Sequence, residues 1–215
     1  MEDLSEQAIR KNCPHCHVES QAFTYILEKT KNFYIVCDSH SLIEGHILII
    51  PKNHISCISK YSKEEFTEFI NLNDKVSEFL LKEFKFVSSF EHGIFSQTIF
   101  HSHVHYLPFN GKPTDIVTEG KSKLTELSNL TELKKLFSKN GGYLFFSIGN
   151  KKWSVSVDIS TPRFFRDRFA IALGRPERGN WKTMRINKKL MEQGNKENQS
   201  VIKRWKNFKR LFVTA

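Results

Sequence analysis

Ser96-Gln-Thr-Ile-Phe-His101-Ser-His103-Val-His105-Tyr-Leu-Pro108 is the stretch around which the rest of the chain is read. Its three histidines alternate with Ser102 and Val104. In an extended strand, alternate side chains point to one face and repeat roughly every 7 Å, so the spacing predicts three imidazoles lining one face. A neutral imidazole accepts a proton, binds a metal or acts as a nucleophile near pH 7. A His-rich metal tract has a similar composition. Such runs are usually terminal and unpatterned, whereas this one is internal and closes on apolar Tyr106-Leu107-Pro108. It is read as a working site.

The chain has 215 residues, enough for one large domain or a domain plus an extension. Apolar residues make up 39%, with nineteen Phe, which suffices for a sizeable core. No apolar run reaches 18 residues, so no membrane span or membrane partner is expected. The start, Met1-Glu-Asp-Leu-Ser-Glu6, is acidic and unlike a signal peptide. Four cysteines, two of them in Cys13-Pro-His-Cys16, point to a reducing, cytoplasmic compartment and a metal rather than disulfides. The net charge of +10 is unevenly placed: residues 1–110 carry 10 basic and 14 acidic side chains, residues 111–215 carry 23 and 9. All nine histidines lie at or before His105. Chemistry is therefore assigned to the first part and electrostatics to the second.

Cys13-x-x-Cys16 suits zinc, because two thiolates on one tight turn reach one ion, but alone it is half a site. A thioredoxin-like redox pair would need a βαβ context that the pattern lacks. Phe33–Cys37 and His46–Ile50 read as strands. Ser62-Lys-Glu-Glu65 reads as a capping box opening a helix over about 63–85, with Phe66, Phe69, Phe79 and Leu80 near one stripe. Phe86–Phe90 reads as a strand and Glu91–Gly93 as the start of a loop.

Gln97-Thr98-Ile-Phe-His101-Ser-His103-Val-His105-Tyr-Leu-Pro108 resembles the histidine-triad (HIT) motif, and Gly45-His46-Ile-Leu-Ile-Ile-Pro51-Lys-Asn-His54 resembles the family's second signature. Asp38, eight residues before His46, is similar in placement to the family's ribose-binding acid. The resemblance covers about residues 10–110. It implies His103 as the nucleophile on the α-phosphorus of a nucleotide, with His105 and His46 assisting. It implies nucleotide binding by Asp38, Gln97, Thr98 and His105. In zinc-bearing members, a Cys-x-x-Cys pair is completed by two histidines, here Cys13, Cys16, His54 and His101, a closed structural Zn2+ site. Two departures stand out: Ser102 replaces an apolar residue, which suggests a wetter surface there, and Phe90-Glu91-His92-Gly93 replaces the family's Asn-containing approach segment.

The remaining residues are strongly basic. Thr125–Lys139 reads as a helix, Tyr143–Ile148 and Trp153–Val157 as a hairpin, and Thr161-Pro162 as N-cap and N1 of a helix ending before Gly174. Met191–Ser200 is polar and expected to be mobile. Val201, Ile202, Trp205, Phe208, Leu211 and Phe212 form the stripe of a last helix. Most of these charges read as a solvated face. Arg166, Arg178 and Trp181 are the candidate contacts to a nucleic acid or other polyanion.

The resulting expectation is an α+β protein: a HIT-like antiparallel sheet with flanking helices over residues 1–110, plus a basic α/β extension over 111–215 (helix, hairpin, helices). The resemblance implies a nucleotide hydrolase or nucleotidyl transferase acting on a purine nucleotide conjugate, dinucleoside polyphosphate or phosphoramidate, and allows a homodimer. The alternatives are an enzyme of nucleic-acid ends (decapping or deadenylylation) and a non-catalytic nucleic-acid-binding module.

Overall fold

The computed structural model describes residues 10–213, the side chains of 211–213 excepted. The acidic start at Met1–Glu6 and the side chains of Leu211 and Phe212 lie outside the described residues. Eight strands form one sheet: β1 (Ile26–Lys29), β2 (Phe33–Cys37), β3 (Ile47–Pro51), β4 (Ser88–Gly93), β5 (Val104–Leu107), β6 (Leu124–Leu127), β7 (Tyr143–Ile148) and β8 (Lys151–Val155). Six helices accompany them: α1 (Lys63–Phe84), α2 (Pro113–Ile116), α3 (Glu132–Asn140), α4 (Phe164–Ala172), α5 (Trp181–Ile186) and α6 (Lys188–Val213). The order across the sheet is β1-β2-β3-β5-β4-β7-β8-β6, and every pairing is antiparallel. This is the expected α+β antiparallel sheet with flanking helices.

The sheet is covered on both faces, which explains why β3, β4 and β5 are buried at every position. Alternation divides the side chains. Tyr106 joins one core with Phe69, Val76 and Phe79 of α1 and with Val201, Trp205 and Phe208 of α6. Its neighbour Leu107 joins the other, with Phe90, Phe146 and the α4 residues Phe165 and Phe169. Phe79 and Trp205 meet edge to face, with centroids 4.8 Å apart. The capping box of α1 is formed as expected: Ser62 accepts from the Glu65 N–H and Glu65 accepts from the Ser62 N–H.

The segments beyond residue 110 join the same sheet, because β7 pairs with β4 along all six residues from Ser88 to Gly93. Glu91–Gly93, expected to open a loop, is therefore strand. A Cβ at Gly93 would lie 2.3 Å from the Tyr143 ring, so glycine is what admits that ring against the strand. The helix expected over 125–139 divides into β6, which pairs with β8, and α3. Leu124 and Leu127 sit three apart, which suits either element, and pairing decides. Helix α4 begins at Phe164 rather than beside Pro162. The polar run 191–200 is ordered within α6. Its buried face there is Gly194 and Asn198, and Asn198 donates to the Asp38 carbonyl at 3.0 Å. No helix of the described residues is long and apolar enough to cross a membrane.

Candidate active site and metal centre

The histidine run is not one extended face. β5 starts at Val104, so only His105 of the three is a strand residue, while His101 and His103 lie in the segment entering it. That bend sends the imidazoles to different tasks.

Backbone groups define the tautomers. The Leu42 N–H can only donate, and it meets His46 Nδ1 at 3.0 Å, so that atom carries the lone pair and Nε2 carries the proton. His46 Nε2–H then donates to His105 Nδ1 at 2.9 Å. His105 is left with its proton on Nε2, a buried atom with no partner among the described residues, on a ring that lines a cavity. The His101 carbonyl can only accept, and His103 Nδ1 lies 2.7 Å from it. His103 Nε2 is therefore the lone pair. The site thus offers a nucleophilic nitrogen and a neighbouring N–H donor on rings 4.9 Å apart. His46 stands behind His105, with ring centroids 5.1 Å apart.

Burial lowers the pKa of His103, and burial together with His103 holds His105 well below its ordinary value. His46 falls to about 4, mainly through burial. All three are neutral at pH 7, which preserves the lone pair on His103. Phe90 stacks on His105 with centroids 4.2 Å apart at 15°, fixing the ring plane. His15, from the turn between the two cysteines, is buried and packs edge-on against His103 at 4.8 Å.

The cavity above these rings has a volume of about 460 Å³. Thr98 lines it, as does Asp38. The Gln97 amide instead donates to the Ser56 carbonyl at 2.7 Å. Asp38 is nearly buried and its Oδ2 lies 2.6 Å from Arg166 Nη1. Burial opposes its ionisation, but the Arg166 guanidinium outweighs that and holds the carboxyl well below the usual range. Arg166 also donates to the carbonyls of His40 at 2.7 Å and Gly179 at 3.3 Å. It is a buried clamp tying α4 to the β2–β3 turn. Asp38, His46 and His105 lie close enough to suggest a second metal group. The guanidinium on Asp38 and the direct His46–His105 hydrogen bond are the chemistry of a relay instead.

Arg178, expected on a polyanion surface, is fully buried. It pairs with Glu197 at 2.6 Å and donates to the Ser41 carbonyl at 3.0 Å. A guanidinium this deep needs a carboxylate partner, and α6 supplies it. Trp181 does line the cavity, its indole N–H 3.4 Å from Thr98 Oγ1. Ser102 is likewise not wet. It is completely buried, donates to Glu91 at 2.7 Å and lies 2.8 Å from the Tyr61 hydroxyl. Glu91 also receives the Tyr143 hydroxyl and the Ile58 N–H.

Cys13, Cys16, His54 and His101 come together, with all four ligand atoms within 4.8 Å of one another. Cys13 Sγ and Cys16 Sγ lie 3.4 and 3.5 Å from His101 Nδ1, and Cys16 Sγ lies 3.3 Å from His54 Nδ1. A tetrahedral zinc with bonds of about 2.3 Å to S and 2.0 Å to N has S···N edges of about 3.5 Å. The donor set fits. His101 Nε2–H donates to the Pro51 carbonyl at 2.9 Å, turning Nδ1 toward the cluster, the outer hydrogen bond typical of a metal-bound histidine.

A HIT domain profile matches residues 19–111. A HIT-like protein of 13.1 kDa from Mesomycoplasma hyorhinis is 30% identical over 82 residues, 35% of this chain and 71% of that protein. The chain belongs to the HIT family. Among solved structures, it is similar to a HIT family protein from Bacillus anthracis (25% identity, 47% of this chain and 76% of that one, TM-score 0.42). It is also similar to a histidine triad nucleotide-binding protein from Sulfolobus tokodaii (24% identity, 46% and 71%, TM-score 0.40).

Proposed function

We propose that the chain is a nucleotide hydrolase or nucleotidyl transferase working through a nucleotidyl-histidine intermediate. His103 Nε2 attacks the α-phosphorus of a purine nucleotide conjugate. A phosphorus–nitrogen bond forms and the bond to the leaving group breaks, with that bonding pair going to the leaving group. Water or another acceptor then attacks phosphorus, loses its proton, and returns the pair to His103. Splitting one displacement into two lowers each barrier. The His105 Nε2–H and the Thr98 hydroxyl stabilise charge on the phosphoryl oxygens. Asp38 accepts from the ribose hydroxyls beside its Arg166 contact.

The carrying observation is the pair of oppositely assigned nitrogens: a lone pair on His103 held by the His101 carbonyl, and a proton on His105 held by His46. Such a relay also argues against a module that only binds. Zn2+ would be held by Cys13, Cys16, His54 and His101, and four protein ligands would make its role there structural. Incubation with a panel of dinucleoside polyphosphates, nucleoside phosphoramidates and capped or adenylylated oligonucleotides, with acid-labile adducts trapped and mapped, tests the reading. An adduct on His103 supports it. No turnover of any member, or an adduct elsewhere, overturns it.

A further inference from the structure

The cavity has a charge imbalance that the nucleotide reading leaves unused. Its one carboxylate, Asp38, is neutralised by Arg166 at 2.6 Å. Two more cations on its wall, Lys182 and Arg185, are exposed and make no ion pair among the described residues. Both come from α5, three residues apart and thus on adjoining positions of the helix surface.

Their place is fixed by Trp181. Its ring packs against that of His40 at 5.8 Å, and Arg185, four residues on, shares that helix face. The His40 N–H in turn donates to Asp38 Oδ1 at 2.8 Å. Arg185 therefore stands beside the Asp38–His40 wall, and Lys182 lines the same cavity. His40 Nε2, on the same wall, is a buried polar atom without a partner among the described residues. A polar group awaiting a partner next to two unpaired cations describes a place for an anion.

We infer that Lys182 and Arg185 form a second phosphate subsite, which takes a phosphate carried on the sugar of the nucleotide whose α-phosphate meets His103. This rests on the nucleotide reading and deepens it. In this reading Asp38 accepts from the ribose hydroxyl that stays free and the phosphate on the other is directed to α5, whereas a longer 5′ chain extends from the histidines. Two chemistries supply such a group: a 3′-phosphate, as at the 5′ end of a polynucleotide, and a 2′-phosphate.

Calorimetric titration of the full-length protein with AMP, ADP, adenosine 3′,5′-bisphosphate and adenosine 2′,5′-bisphosphate separates these. One of the bisphosphates should bind about tenfold tighter than AMP or better, the gain of a charge-assisted contact. ADP, with the same added phosphate on the other side of the sugar, should gain less. In the Lys182→Gln/Arg185→Gln variant the bisphosphate-to-AMP ratio should fall toward one. The bisphosphate that shows the gain names the source. An equal gain for ADP, a gain that survives the double change, or no gain where AMP binds overturns the subsite alone. If no nucleotide binds, the nucleotide reading falls and the subsite with it.

Discussion

His103 Nδ1 donates to the backbone carbonyl of His101 at 2.7 Å, while the His101 side chain reaches the two cysteine sulfurs. One residue thus joins the Cys/His cluster with its ring and holds the His103 imidazole with its peptide. The orientation of His103 is therefore tied to that of the Cys13, Cys16, His54 and His101 cluster.

The first expectation follows from that lone pair. His103→Ala should lower turnover by about a thousandfold or more while nucleotide affinity changes little, since the nucleophile acts mainly in the transition state. Single-turnover kinetics beside equilibrium titration read the two quantities separately. Near-normal turnover would remove His103 from its role.

Metal analysis of the purified protein should find one zinc per chain. Cys13→Ser or prolonged chelation should lower the melting temperature, because structural zinc binding is folding free energy. Chelated protein should also lose turnover with the substrate site otherwise present, through the shared His101. A metal-free protein of unchanged stability would end this reading.

His46→Ala should reduce kcat by roughly a hundredfold or more, the usual weight of a misplaced charge-stabilising donor, with a much smaller effect on affinity. The His46 pair decides which nitrogen of His105 carries hydrogen. NMR of the histidine nitrogens should show His105 as the Nε2–H tautomer in the wild type and a mixture in the variant.

Arg166→Met strands a buried carboxylate and should destabilise the protein by about 3–5 kcal/mol. Arg166→Lys should recover only part, because one ammonium cannot span Asp38 and the His40 carbonyl as the guanidinium does. Adding Asp38→Asn to Arg166→Met should restore much of the loss. Urea denaturation of the wild type, Asp38→Asn, Arg166→Met and the double variant measures the coupling, and additive losses would contradict it.

Burial pushes Glu91 up to about 7, with the hydrogen bonds from Tyr143 and Ser102 offsetting part of that rise. The native state therefore keeps this proton after the unfolded chain, with an ordinary value of 4.5, has lost it. Its contribution is complete at low pH and declines as pH rises toward about 7, by at most about 3 kcal/mol. Glu91→Gln should remove this decline. Urea midpoints for both proteins across that window should converge at low pH and separate at high pH, and parallel curves would contradict the assignment.

Much of the framework was legible in the chain. β2 and β3 announce themselves by β-branched and aromatic runs, α1 by its capping box, and the β7–β8 hairpin by Gly149-Asn150 between two apolar segments. What failed lacked an apolar period. The start of α6 is buried through Gly194 and Asn198, and is held by Glu197 to Arg175 and Arg178, so no hydrophobic stripe marks it. At the site, His103 and His105 of the alternating run line the cavity, and the four side chains that the resemblance grouped, Cys13, Cys16, His54 and His101, converge. The Asp38–Arg166 pair joins residues 128 apart, and neither carries a local signal of the other. Arg178 looked like a surface charge because composition cannot distinguish a guanidinium awaiting a ligand from one already matched to a buried carboxylate.

The pairing of β7 with β4 has a consequence for assembly. Within the sheet β4 pairs with β7 along its whole length and with β5 from Ser88 to Phe90, so the edge that faces β7 is already taken. A second copy cannot extend the sheet there without first peeling the hairpin away, and the open margins are β1 and β6. A fragment ending at residue 110 would leave β4, buried at all six positions here, as a bare margin, the kind of edge on which chains stack into aggregates. The hairpin thus serves as an internal stopper for the sheet edge next to the histidine strand.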